Sequence, residues 1–350
     1  MCSAVQQKRV DGYRLSVSCP VLDREGCVPE FTTKTVIRTS SPGTVSDWLR
    51  RGIMKYDLAV AAQKMRSKVA SELAAWLDGV IQTDFEKVAE THLDVEHIKE
   101  KVHVIERYLP GFLTPNKKIL EVGSGFGAFT VFCRALYDYD VTGAEPDPAT
   151  LKLSRELASA AGVDCVLEEC AGEKLVFADN TFDLVYSSNV LEHVQDPAKV
   201  LSEGIRVLKP GGYLFFTYPN YCSFWEGHYG IVWIPCMSKP VAKLYVRLLG
   251  RRNTSYIDSL QLVNVRFTKK ILKTFQDQVD VISLGDDLWE DRLRNLNFGE
   301  WGLMSNIKKM LAFIHKLPFV LDLGIKVGKW MNWYYPIILV LRKKTDSPSG

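Results

Sequence analysis

Lys118-Ile-Leu-Glu-Val-Gly-Ser-Gly-Phe-Gly-Ala-Phe-Thr130 is the stretch from which the architecture of this chain follows. Ile119, Leu120 and Val122 make a short apolar run suited to a buried strand. Gly123, Ser124, Gly125 and Gly127 then form a turn, and Ala128 opens a helix. Glycines at such a turn let the backbone bend sharply and approach a ligand closely. The spacing alone is shared by several kinds of nucleotide-binding domain. Glu121, two positions ahead of the first glycine, narrows the choice. A carboxylate at the carboxyl end of the strand repels a pyrophosphate but suits a ligand that carries an ammonium group. That favours S-adenosylmethionine over a dinucleotide. The plainer alternative is a tight turn with an acid beside it.

Downstream, Phe129, Phe132, Cys133 and Leu136 mark a helix, and Tyr139 to Ala144 a second strand ending in Glu145-Pro146-Asp147. Glu145 lies 18 positions after Gly127, where a doubly wound fold places an acid that accepts both ribose hydroxyl hydrogens. Asp147 is placed to cap the next helix, Pro148 to Ala161. Cys165 to Leu167 reads as a third strand, Phe182 to Tyr186 as a fourth and Tyr213 to Thr217 as a fifth. A helix from Asp196-Pro197 to Val207-Leu208 and a Lys209-Pro-Gly-Gly212 turn separate the last two. This alternation predicts an α/β fold: a doubly wound, mostly parallel sheet with helices on both faces.

The set resembles the class I S-adenosylmethionine-dependent methyltransferases. The matching segments are Ile119 to Gly127, Val141 to Glu145, Gly172 to Leu175, Phe182 to Val194 and Val207 to Gly212, in the family's order and spacing. The resemblance implies a seven-stranded sheet and S-adenosylmethionine as cofactor. It places the methionine end against Glu121, Gly123, Ser124, Gly125 and Gly127, lined by Ser188 or Asn189. Glu145, with Pro146 beside it, would hold the ribose, and Ala171, Gly172 and Glu173 the adenine. Many members carry an acid for the adenine amino group where Ala171 aligns here, so Glu173 or a backbone carbonyl takes its place. More loosely, Tyr218 to Gly230 is similar to a segment of bacterial methyltransferases of polysaccharide and secondary-metabolite pathways, and Arg266-Phe-Thr-Lys269 to the entry of their next helix. The Asn-Pro-Pro-Tyr motif of adenine-modifying DNA methyltransferases is rejected. Here the order is Pro219-Asn220-Tyr221, after the fifth strand instead of the fourth.

Methyl transfer to a hydroxyl needs an acceptor held in line with the methyl group and sulfur, and a base within hydrogen-bond reach. It needs no metal in principle, and no metal site is expected. His193, after the fourth strand, and His228, in Glu226-Gly-His-Tyr229, are the candidate bases. His193 has a structural alternative, opening a helix against the sheet. Glu226 would orient His228 or bind a sugar hydroxyl. Tyr221, Phe224, Trp225, Tyr229 and Trp233 suit either stacking on an acceptor or a plain hydrophobic lid.

Around this core, residues 1–110 form an N-terminal extension, largely helical from 55. Leu15, Val17 and Cys19 suit a short strand, and helical faces run from Lys55 to Val80 and from Asp94 to Leu109. Residues 111–218 form the cofactor-binding core. Residues 219–278 form a substrate lid and helix, and 279–345 the final strands with a helical insertion. Lys239, Lys243, Arg247, Arg251 and Arg252 interleave with apolar residues, and Trp301, Phe313, Phe319, Trp330 and Trp333 accompany five lysines. Stretches 239–252 and 301–335 therefore permit phosphate binding or peripheral membrane contact, or else form solvated, interfacial or pocket surfaces. Thr345 to Gly350 reads as a disordered tail.

A net charge of +3 makes no case for nucleic acid. The eight cysteines have no C-x-x-C spacing, and Met1 to Arg14 has no apolar core. Reduced thiols in the cytoplasm are expected, with the inner face of the membrane as the second location. The leading functional expectation is O-methylation of a sugar, glycan precursor or related small metabolite. N- or C-methylation comes second and a non-catalytic scaffold third. The oligomeric state is open.

Overall fold

The structure, a computed structural model, describes residues 6–10, 13–17, 45–80, 84–296 and 318–345. The chain divides into two units, residues 1–44 and 45–350. In the first, β1 (Gln6–Val10) pairs antiparallel with β2 (Tyr13–Val17), so the expected strand at Leu15 and Val17 is present. Cys2, Cys19, Cys27, the 301–317 part of the insertion and the tail beyond Thr345 lie outside the described residues.

The second unit opens with α1 (Val45–Leu77), α2 (Phe85–His92) and α3 (Val95–Tyr108). The glycine stretch then forms β3 (Lys118–Val122) and α4 (Ala128–Tyr137). β4 (Asp140–Ala144), α5 (Pro148–Ala161), β5 (Val166–Glu168), β6 (Phe182–Ser188), α6 (Pro197–Val207) and β7 (Leu208–Tyr218) continue the alternation. Asp147 caps α5 as expected, its carboxylate accepting from Thr150 N at 2.7 Å. A two-residue hairpin follows, β8 (Trp225–Glu226) and β9 (Ile231–Val232). Then come α7 (Lys239–Leu248), α8 (Tyr256–Ser259), α9 (Val265–Leu272), β10 (Val279–Ser283), α10 (Asp286–Asn295), α11 (Pro318–Met331) and β11 (Ile337–Lys343).

Seven strands form one sheet in the order β10-β11-β7-β6-β3-β4-β5. The four pairings from β7 to β5 are parallel, and β11 is antiparallel to both β7 and β10. Side chains alternate across β3 as a strand requires. Ile119 joins α1, α3, α4 and α5 on one face, in a core with Met65, Ile105, Phe132 and Leu157. Leu120 and Val122 join α6, α7 and α9 on the other, with Val200, Ile205, Val246 and Val265. This doubly wound sheet is the expected architecture, and its carboxyl-terminal edge is where such sheets bind ligands.

Three local differences appear. α1 begins at Val45, well before the expected Lys55. α2 is an unexpected helix; Asp84 caps it by accepting from Glu86 N at 3.0 Å. The expected turn at Lys209–Gly212 is absorbed into β7 as a break in its pairing with β6, with Gly211 at φ +79°.

Asp183 ties the amino-terminal edge together. Its carboxylate accepts from Lys118 N at 3.0 Å and from Lys209 Nζ at 2.7 Å, with Lys117 Nζ 3.6 Å away. Burial alone would raise its pKa, but these partners outweigh burial and hold it below the ordinary value. A depressed folded-state pKa adds stability above the unfolded carboxylate range and loses it as pH falls through the folded value. Asp183→Asn should therefore destabilise by about 1–2 kcal/mol at pH 7, with the gap closing below about pH 4. Urea unfolding across pH checks this; a gap undiminished at about pH 2 would contradict it.

Candidate active site

The glycine turn uses its backbone donors internally. Gly123 N and Ser124 N both donate to Ala144 O, at 2.8 and 3.0 Å, and Gly127 N donates to Ser124 O at 2.9 Å. Gly125 N donates to Glu145 Oε2 at 2.9 Å. These four N–H groups are thus committed and do not form a phosphate cradle, in line with the preference for a ligand without a pyrophosphate. The three glycines differ in role. A Cβ on Gly123 would clash with Val190 Cγ2, and one on Gly127 would meet Ser154 Cβ at 2.9 Å. Both therefore permit close packing. A Cβ on Gly125, at φ +53°, would meet nothing within 4 Å. Gly125 is the glycine of this turn that faces open space.

Glu145 is buried, and its other oxygen accepts from Asp147 N at 3.1 Å. A carboxylate has about four acceptor sites, so two hydrogen bonds leave capacity for ribose hydroxyls. Burial raises its pKa. Glu121 is also buried, and its Oε2 accepts from Thr130 N at 3.1 Å and Thr130 Oγ1 at 2.6 Å. Burial lifts its pKa to about 7 despite those bonds. A nearby ammonium group would draw it back to the anion. Ser124 Oγ is buried with no hydrogen-bond partner. This orphaned hydroxyl, the open space at Gly125 and the unused capacity of Glu145 fit a ribose-bearing cofactor.

At the adenine end Glu173 has a local structural use. Glu173 Oε1 accepts from Gln195 N at 2.8 Å and Asp196 N at 3.4 Å, so its carboxylate holds the turn ahead of α6. Neither bond uses Oε2, so Glu173 and a backbone carbonyl both stay open as adenine partners. Gly172 is a packing glycine, because a Cβ there would meet Val122 Cγ1 at 3.0 Å. Ala171 O accepts from Lys174 N within the same turn. Ser188 Oγ accepts from Thr217 Oγ1 at 3.0 Å at the end of β6, and Asn189 follows at φ +56°.

Val190, packed on Gly123, begins the turn that carries the first histidine. His193 N donates to Val190 O at 2.8 Å, so Leu191 to His193 form a turn where a helix was the alternative. The His193 side chain is 38% exposed, so it is not buried against the sheet. The β8–β9 hairpin brings the other members. Glu226, 1% exposed, accepts from Tyr229 N at 2.6 Å through Oε2. Its Oε1 lies 2.7 Å from His228 Nδ1. With Nδ1–H donated there, His228 Nε2 carries the lone pair, and it lies 3.1 Å from His193 Nε2. Burial alone would lower the pKa of His228, but the hydrogen bond and charge of Glu226 outweigh it and raise it. Although one edge of its ring is open, desolvation of the rest, with His228 beside it, lowers His193 to about 3. Of the pair, His228 is the more basic ring.

The three expected catalytic residues thus converge in one cluster. Sequence reading missed two neighbours. Glu192 is fully buried beside His193, and burial raises its pKa to about 7. The Tyr256 ring lies 5.5 Å from His228 and 6.4 Å from His193 between ring centroids. The acid in Leu191-Glu-His-Val194 was visible but had no periodicity or partner to single it out.

The aromatic lid is mostly core. Tyr221, Tyr229 and Trp233 are buried and cannot stack on an acceptor. Asn220 Nδ2 donates to Asn332 O and Tyr334 O, so Pro219-Asn220-Tyr221 has a structural use, consistent with rejecting the DNA-modifying motif. The expectation of reduced thiols is corrected at one pair. Cys222 and Cys236 form a disulfide with Cα atoms 4.4 Å apart. The loop folds back through Cys236 N to Tyr221 O at 2.9 Å, which joins cysteines too far apart in sequence to look like a motif.

Residues 120–216 match the family described as "Methyltransferase domain". The chain is 33% identical over 132 residues to phosphoethanolamine N-methyltransferase 3 of Arabidopsis thaliana, covering 37% of this chain and 24% of that protein. It is 33% identical over 109 residues to glycine/sarcosine/dimethylglycine N-methyltransferase of Actinopolyspora halophila, covering 31% of this chain and 19% of that protein. It is 32% identical over 144 residues to ubiquinone biosynthesis O-methyltransferase of Photobacterium profundum, covering 39% of this chain and 60% of that protein. The chain thus spans a quarter or less of the length of the first two and under two thirds of the third. Motif order, sheet order and family match agree: residues 120–216 are a methyltransferase domain, and the motifs they carry are those of the class I S-adenosylmethionine-dependent kind.

Proposed function

We propose that the protein is an S-adenosylmethionine-dependent methyltransferase that O-methylates a sugar, a glycan precursor or a related small metabolite. The observation that carries the choice of a hydroxyl is the Glu226–His228–His193 cluster, whose His193 turn packs on the glycine loop through Val190. When bound, the cofactor would supply a methyl group carried on a sulfonium, whose sulfur would take the electron pair of the broken bond. The chain's own part is to hold, orient and deprotonate. The Gly123–Gly127 turn, Glu121 and Glu145 hold the cofactor. His193, the more exposed ring, meets the acceptor hydroxyl. His228 Nε2 behind it stores the proton, and Glu226 holds the resulting positive charge.

Relatives named as N-methyltransferases support an amine as the second reading, with a carbon acceptor beside it. An amine needs no such base. Carbon NMR of products made with methyl-labelled cofactor separates them. An O-methyl resonance is expected, and an N- or C-methyl resonance would overturn the hydroxyl assignment.

Contact with a membrane surface is a further part of this reading. Among the described residues no helix is long and apolar enough to cross a membrane. α11 exposes Phe319 and Trp330, each at 78%, and α7 exposes Leu244 and Leu248. Against it, Lys243 pairs with Asp258 at 2.6 Å and Lys239 Nζ donates to Asp258 O at 2.9 Å, which partly neutralises the basic face. Co-flotation with anionic vesicles is expected to fall at least severalfold in Phe319→Ser/Trp330→Ser. Flotation equal to that of the parent chain would contradict a role for α11.

A further inference from the structure

We propose that Glu192, His193 and His228 form a binding site for one divalent cation of the zinc class, with an open position facing the acceptor. The ligand atoms are a Glu192 carboxylate oxygen and the two Nε2 atoms, all within 4.8 Å of one another. The Nε2 atoms are 3.1 Å apart, and Glu192 Oε1 is 3.7 Å from His193 Nε2. Tetrahedral bonds of about 2.0–2.2 Å place neighbouring ligand atoms roughly 3.3–3.6 Å apart, so small shifts accommodate the ion.

A plain imidazole–imidazole hydrogen bond accounts for the two rings but not for Glu192. That side chain is 1% exposed, and neither of its oxygens has a hydrogen-bond partner. A buried carboxylate without a donor is costly, and a cation between it and the rings answers the cost. The carboxylate is held on a fixed turn: Gln261 N donates to Glu192 O at 2.7 Å, and His193 N closes the turn on Val190 O.

Glu226 supplies the supporting contact that metal-bound histidines require. It takes the Nδ1–H of His228 and so aims the Nε2 lone pair at the site. Two imidazoles and one carboxylate suit a zinc-class ion better than magnesium, which prefers oxygen ligands and keeps its water. Three protein ligands with one exposed side, here the His193 edge, are the arrangement of sites that admit an exchangeable ligand.

Binding of the ion does not depend on the methyltransferase reading; its use does. With both Nε2 lone pairs committed to the ion, a substrate hydroxyl at the open position takes over. Its proton leaves to water, its oxygen keeps the electron pair, and the ion assumes the charge-stabilising part that His228 plays in the metal-free protein.

The test is calorimetry of zinc chloride into the chelator-treated full chain, with cobalt substitution read by visible absorption. One tight equivalent is expected, with a tetrahedral cobalt spectrum lacking thiolate charge-transfer bands. Glu192→Gln and His193→Ala should each weaken binding at least tenfold, and Glu226→Gln by roughly 10–100-fold. Lack of stoichiometric binding by the parent chain would overturn the site. So would a thiolate spectrum, or affinity unchanged in Glu192→Gln and His193→Ala variants that melt like the parent. S-adenosylmethionine calorimetry on the same samples keeps the two readings apart: cofactor binding without zinc binding removes the metal site alone.

Discussion

Gly125→Arg should abolish S-adenosylmethionine binding while leaving the sheet folded. Gly123 and Gly127 lie against Val190 and Ser154, so their substitution disturbs packing as well as any ligand. Gly125 separates the two effects. Nothing lies within 4 Å of the Cβ it lacks, so an arginine there enters the space assigned to the cofactor. Its φ of +53° adds a strain of about 1 kcal/mol for any L side chain, which Gly125→Ala measures alone. In calorimetry the arginine variant should lose at least ~100-fold in affinity, about 2.7 kcal/mol, and the alanine variant far less. Arginine-variant binding equal to that of the parent chain would refute the site.

His228→Ala should lower turnover of a hydroxyl acceptor by about 10²–10⁴-fold with cofactor affinity unchanged. The expectation rests on position. His228 is 18% exposed and is anchored by Glu226 at 2.7 Å. Its loss removes proton storage, and the cation ligand, without touching Gly125 or Glu145. Glu226→Gln should show a smaller loss, and combining the two should add little, because Glu226 acts through His228. Single-turnover rates with saturating cofactor give the comparison. A rate within a fewfold of the parent's in the His193→Ala/His228→Ala double variant would exclude the base and favour an amine acceptor.

The glycine stretch and the strand–helix alternation carried the fold because both are local. β3's apolar run, the turn and the cap at Asp147 are each written in a few adjacent residues. Those same features placed Glu121, Gly125 and Glu145 correctly at the carboxyl edge of the sheet. α2 escaped because eight residues give too little periodicity, and its signal is the Asp84 cap. The Glu226–His228 pair was legible in Glu226-Gly-His228, but its meeting with His193 was not, since 35 positions separate the two histidines and the hairpin that joins them has two-residue strands. Glu192 and the Cys222–Cys236 disulfide escaped for the same reason: their meaning lies in burial and in a loop that folds back. Glu173 shows the opposite case. Sequence offered it to the adenine, and the structure adds a local use that sequence did not show, holding the Gln195 and Asp196 N–H groups through Oε1.

The most direct measurement incubates the full chain with radiolabelled S-adenosylmethionine and an extract of its source, then partitions the label among lipid, soluble metabolite, protein and nucleic-acid fractions. Label in soluble metabolite or lipid-linked sugar, absent with Gly125→Arg, is the predicted result. Label in protein or nucleic acid would contradict the substrate class, and label in no fraction beside intact cofactor binding would contradict the enzyme.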